Sequence, residues 1–166
     1  MKNLIISLFL IVSGHSLAQQ TTPIDAFLEK WENAKVYTLT IVESMPEDKF
    51  SFSPTERQMS FKEQLVHMKQ NMDWLSATYF GGTKPDGATD TKAELMQSLE
   101  QSFDAVAAAV KASSPEDLQQ TVDFFAGPKS KLQILNLLQD HLTHHRGQII
   151  VYLNLNQIEP PRYVGW

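Results

Sequence analysis

Three histidines, a residue type capable of metal or acid–base chemistry, cluster near the C-terminus, in the run His141-Leu142-Thr143-His144-His145-Arg146-Gly147-Gln148. His141 and His145 stand four residues apart, so on a helix they stack one turn above the other and can reach a single ion. At about 100° per residue, with His141 at zero, Ile134 and Tyr152 fall near 20°, Leu138 near 60°, Leu137 near -40° and His145 near 40°. That places both imidazoles in the centre of an apolar stripe. Two buried imidazoles without partners would cost about 1–3 kcal/mol each, and a shared cation offsets that cost. His144 falls near -60°, at the stripe's edge, and is the weaker ligand candidate. Gln148, near -20°, is a polar group aimed inward, either satisfying backbone or facing a pocket.

Two ligands on one helix seldom suffice, and a third must come from elsewhere. His67 is the one other histidine outside the first eighteen residues. It lies midway along an earlier helical segment, displaced by about 100–120° from the stripe centred on Met68, so it should flank the core. Three imidazoles on two helices would leave one side of an ion open. The competing reading treats the histidines as hydrogen-bonded structural residues. Glu63, four residues before His67, is a capping residue first and a ligand-orienting acceptor second. Asn71 and Asp140 could orient ligands or substrate, or be solvated polar positions. Glu63, Asp140 and Asp73 are the candidates for a general base.

The elements that must position these groups are helical. Thr22-Pro23 opens the first, with Ile24, Phe27, Leu28, Trp31, Ala34, Tyr37, Thr38 and Ile41 at three- and four-residue spacing, and Pro46 ends it. Glu47–Arg57 reads as an extended connection. Ser60-Phe61-Lys62-Glu63 is a capping box that starts the second helix, which Gly81-Gly82 stops. A polar loop precedes a third helix from about Thr91 to Ala112. Ser114-Pro115-Glu116-Asp117 initiates a short helical turn, and Val122–Pro128 is a loop with one apolar edge. The last helix runs from near Ser130 to about Asn156, with Ile134, Leu137, Leu138, Ile149, Tyr152 and Leu155 on one face. Trp74 and Tyr152 read as core aromatics. No segment sustains period-two alternation, so the expectation is an all-α four-helix bundle.

Composition narrows the function. The 166 residues carry 14 Lys and Arg against 19 Asp and Glu, a net charge of -5. That argues against nucleic acid as a partner, since binding it requires a basic face. There is no cysteine, so disulfides, thiolate metal sites and cysteine nucleophiles are excluded. Residues 1–18 have the layout of a secretory signal: Lys2, an apolar run Leu4–Val12, and a small-x-small site at Ser16-Leu17-Ala18. A nine-residue run is too short to span a bilayer of about 30 Å; an uncleaved anchor is the alternative. Cleavage would leave 19–166 as an exported domain, periplasmic and free of the membrane.

The segment 141–148 resembles the H-x-x-x-H-R-G-Q signature of the DinB-like (YfiT-like) metalloenzyme superfamily. Ser60-x-x-Glu63-x-x-x-His67 is similar to that family's second-helix motif, and Ile158-Glu159-Pro160-Pro161-Arg162-Tyr163 to its Pro-Pro tail. The resemblance implies a four-helix bundle and a divalent ion, commonly zinc or nickel, held by His67, His141 and His145, with His144 a neighbour. Homodimers are frequent in that superfamily. Its characterised members divide among thiol-dependent transferases and isomerases, so the reaction is not implied. Two functions are therefore expected to compete: an exported metal-dependent hydrolase or thiol transferase acting on a small molecule, and a non-catalytic metal- or ligand-binding stress protein.

Overall fold

A computed structural model describes residues 22–166; the signal-sequence expectation, at 1–18, lies outside the described residues. Four helices form: α1 (Pro23–Ser44), α2 (Phe61–Phe80), α3 (Lys92–Lys111) and α4 (Lys131–Leu155). Each begins on a hydroxyl side chain that accepts from a backbone amide of the first turn. Thr22 caps α1 ahead of Pro23, and capping boxes start α2 (Ser60/Glu63), α3 (Thr91/Glu94) and α4 (Ser130/Gln133). Gly81 ends α2 in the left-handed conformation at φ 68°, where a Cβ would be strained. Among the described residues no helix is long and apolar enough to cross a membrane.

The bundle is an all-α one, as the periodicity predicts. α2 packs against α3 and α4, and α1 against α3 and, more thinly, α4. Trp31 is fully buried, its indole N–H donating to the Phe103 carbonyl at 3.0 Å and its ring stacked on Phe27. Removing a side chain of that size from such a core costs about 3–5 kcal/mol.

The connections hold more structure than expected. Within the stretch read as extended, Glu47–Lys49 forms a 3-10 turn, and the buried Phe50 packs on Phe61 at 5.2 Å between centroids. Asp117–Gln119 forms the short helical turn expected there, fixed by Ser114 and Asp117 bonding each other's backbone amides. The loop at 122–128 is the tip of a small hairpin: β1 (Thr121–Val122) pairs antiparallel with β2 (Lys129–Ser130), Thr121 opposite Ser130. Two-residue strands carry no alternation to read.

The buried face of α4 is rotated from the expected one. Leu135, Leu142, Arg146 and Leu153 are buried, whereas Leu137 and Leu155 are 37% and 56% exposed. On the scale used above the buried arc runs from about 20° to 140°. His141 and His145 therefore sit at its edge, on the side facing α2, and not at its centre. The physical reason is that α4 is covered by two helices, α1 and α2, so its buried arc is wider than a single stripe. Trp74, read as core, is 36% exposed, because its neighbour is the hairpin tip rather than a helix.

Candidate metal centre

α2 and α4 run antiparallel along the seam that carries the site. Gln64 meets His145, Gln148 and Tyr152, and one turn further along α2 His67 meets His141. The N-terminal end of this seam on α2 is pinned by the capping box, in which the Ser60 amide donates to Glu63 at 2.7 Å and the Glu63 amide to Ser60 Oγ at 3.2 Å. The crossover before α2 closes over the same end: the Tyr152 hydroxyl donates to the Met59 carbonyl at 2.9 Å, and Phe52 packs edge-on against the Tyr152 ring.

His67, His141 and His145 converge. One ring nitrogen from each lies within 4.8 Å of the other two, and His67 Nε2 stands 3.0 Å from His141 Nε2. Two nitrogens each about 2.1 Å from one ion stand about 3.0–3.4 Å apart, so the His67–His141 spacing matches a shared coordination sphere, and the third ring lies near enough to join it with a small shift. His145 is buried and the other two are half-buried, which leaves one side of the cluster towards solvent. His67 flanks the core, as its angular displacement predicts.

Two of the three rings, His141 and His145, are held neutral. Burial pushes His141 down to about 4, and the neighbouring His145, His67 and His144 push the same way. Burial, followed by His67 and His144, likewise lowers His145 to about 4. Imidazoles that refuse a proton at neutral pH keep a lone pair for a cation. Three nitrogen donors suit a borderline divalent ion such as zinc or nickel.

Gln64, which the sequence reading missed, fixes the orientation of one ring. His145 Nδ1–H donates to Gln64 Oε1 at 2.5 Å, so Nε2 carries the lone pair that faces the cluster. Gln64 is itself held by donating to Gln148 Oε1 at 2.6 Å and to the Tyr152 hydroxyl at 3.3 Å. Gln148 in turn donates to His144 Nε2 at 2.9 Å, which engages the exposed His144 outside the cluster. A glutamine three residues before His67 on the same edge of α2 was the available signal, masked by the capping box beside it.

The other candidates separate. Glu63 is exposed and occupied as a cap; its bond to the Ser60 backbone amide holds its carboxyl below the usual range. It borders, with His67, Met59, Lys62, Val66 and Gln70, a surface depression next to the cluster. Asp140 is exposed, with no hydrogen bond to any of the three histidines. Asp73 pairs with Lys69 at 2.7 Å on the far side of α2. Asn71 lies one turn along α2 from His67, its Oδ1 buried and without a partner. Arg146 points the other way, buried beneath α1 with its guanidinium 5.2 Å from the Tyr37 ring centre.

The depressed histidines set a pH dependence for protein stripped of metal. Unfolded imidazoles protonate below about 6.5, whereas folded His141 and His145 resist to about 4. Stability is therefore full above pH 6.5 and declines as pH falls from 6.5 towards 4. Discounted for the half-exposed position of His141, the loss between pH 7 and 5 is about 2 kcal/mol. Urea unfolding at the two pH values checks this, with the His141→Gln/His145→Gln variant expected to show a smaller decline. Equal declines in both proteins would refute it.

The bundle with a histidine cluster on the α2–α4 seam defines the class. A family model, the DinB family, matches residues 18–162; the chain belongs to that family. In solved structures the fold is similar to a DinB-like protein from Bacillus cereus, at a TM-score of 0.73 and 20% identity over 85% of this chain and 97% of that one. It is also similar to a DinB-like protein from Bacillus subtilis, at a TM-score of 0.70 and 20% identity over 83% of this chain and 96% of that one. A comparison with curated proteins finds no match.

Proposed function

We propose that His67, His141 and His145 hold one divalent ion, zinc or nickel, and that the protein is an exported, metal-dependent hydrolase or thiol transferase acting on a small molecule in the periplasm. The observation that carries this reading is the convergence of three imidazole nitrogens within 4.8 Å, one of them oriented by Gln64. An ion bound there supplies Lewis acidity, which activates water or a thiol as a nucleophile near neutral pH. The chain's own residues keep His141 and His145 deprotonated by burial, fix the His145 tautomer through Gln64, and leave the half-buried side of His67 and His141 open to substrate. Membership of the DinB family supports the same reading, and the signal layout of residues 1–18 supports export.

One observation favours a second reading, a non-catalytic metal- or ligand-binding protein. No carboxylate among the described residues bonds to the cluster: Glu63 caps α2, Asp73 pairs with Lys69, and Asp140 faces solvent. A general base then has to come from the substrate or be dispensed with. A screen of zinc- and nickel-loaded protein against ester, amide and thiol-transfer substrates decides between the two. Turnover that is lost in His67→Ala is expected; turnover equal in wild type and variant, or absent with every substrate, would overturn the enzymatic reading.

A further inference from the structure

Two exposed aromatic groups of this bundle stand together at the hairpin tip. Trp74 is 36% exposed and Phe125 85%, and adjoining exposed apolar groups of this kind mark a contact surface. The hairpin tip lays Phe124 and Phe125 against Trp74, with ring centroids at 6.1 and 6.4 Å and planes inclined by 24° and 30°. Tyr79 anchors the tip by donating to the Asp123 carbonyl at 3.3 Å. Gly127, at φ 91°, closes the turn with its amide bonded to Phe124, so the two rings are held out on a short, well-defined platform.

The platform lies in line with the histidines. Trp74 is two turns beyond His67, only about 20° from it around α2 and about 10 Å along it. Between the two ends sits Asn71, with its buried, unpartnered Oδ1.

We propose that the site takes ligands bearing an aromatic or bulky apolar group, which rests on Trp74, Phe124 and Phe125. The reactive end lies at His67, His141 and His145, so this rests on the metal reading above. A second copy of the chain fits the patch less well. Stable protein interfaces take about 20–30 residues a side, whereas this platform is four or five side chains continuous with a polar cluster.

Hydroxamates, which chelate divalent ions, test both halves. Zinc-loaded protein is titrated calorimetrically with acetohydroxamate, hexanohydroxamate and 6-phenylhexanohydroxamate. The phenyl compound is expected to bind about tenfold tighter than hexanohydroxamate. Phe125→Ser and Trp74→Ala should each shrink that advantage to about twofold while acetohydroxamate affinity stays unchanged. Equal affinities in the wild type, or an advantage that survives both substitutions, overturns the proposal. Failure of acetohydroxamate itself would sink the metal reading instead. The platform is then read by nuclear magnetic resonance with 2-naphthylacetate: shifts at Trp74, Phe124 and Phe125 support it, and their absence overturns it. Self-association abolished by Phe125→Ser would put a second copy on the patch and also overturn it.

Discussion

Protein produced from the full 166-residue sequence and purified without chelator is expected to carry about one equivalent of zinc or nickel, and His145→Ala to retain less than about a tenth of that. His145 contributes most because it is the buried ligand and the one ring whose tautomer is fixed. Gln64→Leu separates ligation from orientation. Its volume is nearly unchanged and Tyr152 keeps its bond to Met59, so the bundle should fold. His145 Nδ1–H loses its acceptor, and affinity should fall about 10–100-fold, the usual effect of removing a group that holds a ligand in place. Elemental analysis and competition with a chromogenic chelator measure both. Equal metal content in wild type and His145→Ala would refute the assignment.

Removing the metal is expected to lower the melting temperature of the wild type by on the order of 10 °C. An ion present at about a thousand times its Kd stabilises the native state by about 4 kcal/mol, and for a domain of this size each kcal/mol shifts the midpoint by about 2–4 °C. The effect is large because the site joins α2 to α4 midway along their seam, so a bound ion crosslinks residues 67 and 141–145. His67→Ala should melt at the same temperature with and without chelator. A wild type indifferent to chelation, or a variant that responds equally, would contradict the site.

Much of this was legible in the residues. Thr22-Pro23 and the Ser60/Glu63 capping box fixed two helix starts, and Gly81 a stop, because these signals act within one turn of chain. The i, i+4 spacing of His141 and His145 was sufficient to put both rings on one side of α4. What was not legible depended on neighbours. The angular centre of α4 was misplaced because Leu137 and Leu155 look like core and are exposed, while Leu135, Leu142 and Leu153 complete an arc shared between α1 and α2. Gln64 carries only a faint local signal, its place on the His67 edge of α2; its role comes from Tyr152, Gln148 and His145, about eighty residues away. Trp74 was read as core because a tryptophan at helical spacing usually is. Only the hairpin, whose two-residue strands leave no pattern, shows why it stays at the surface.

The most direct measurement is a crystal structure of zinc-loaded protein with anomalous data on both sides of the zinc edge. One peak is expected, about 2.0–2.2 Å from a ring nitrogen of each of His67, His141 and His145. A peak elsewhere, or one reached by fewer than all three rings, would contradict the shared tri-histidine site.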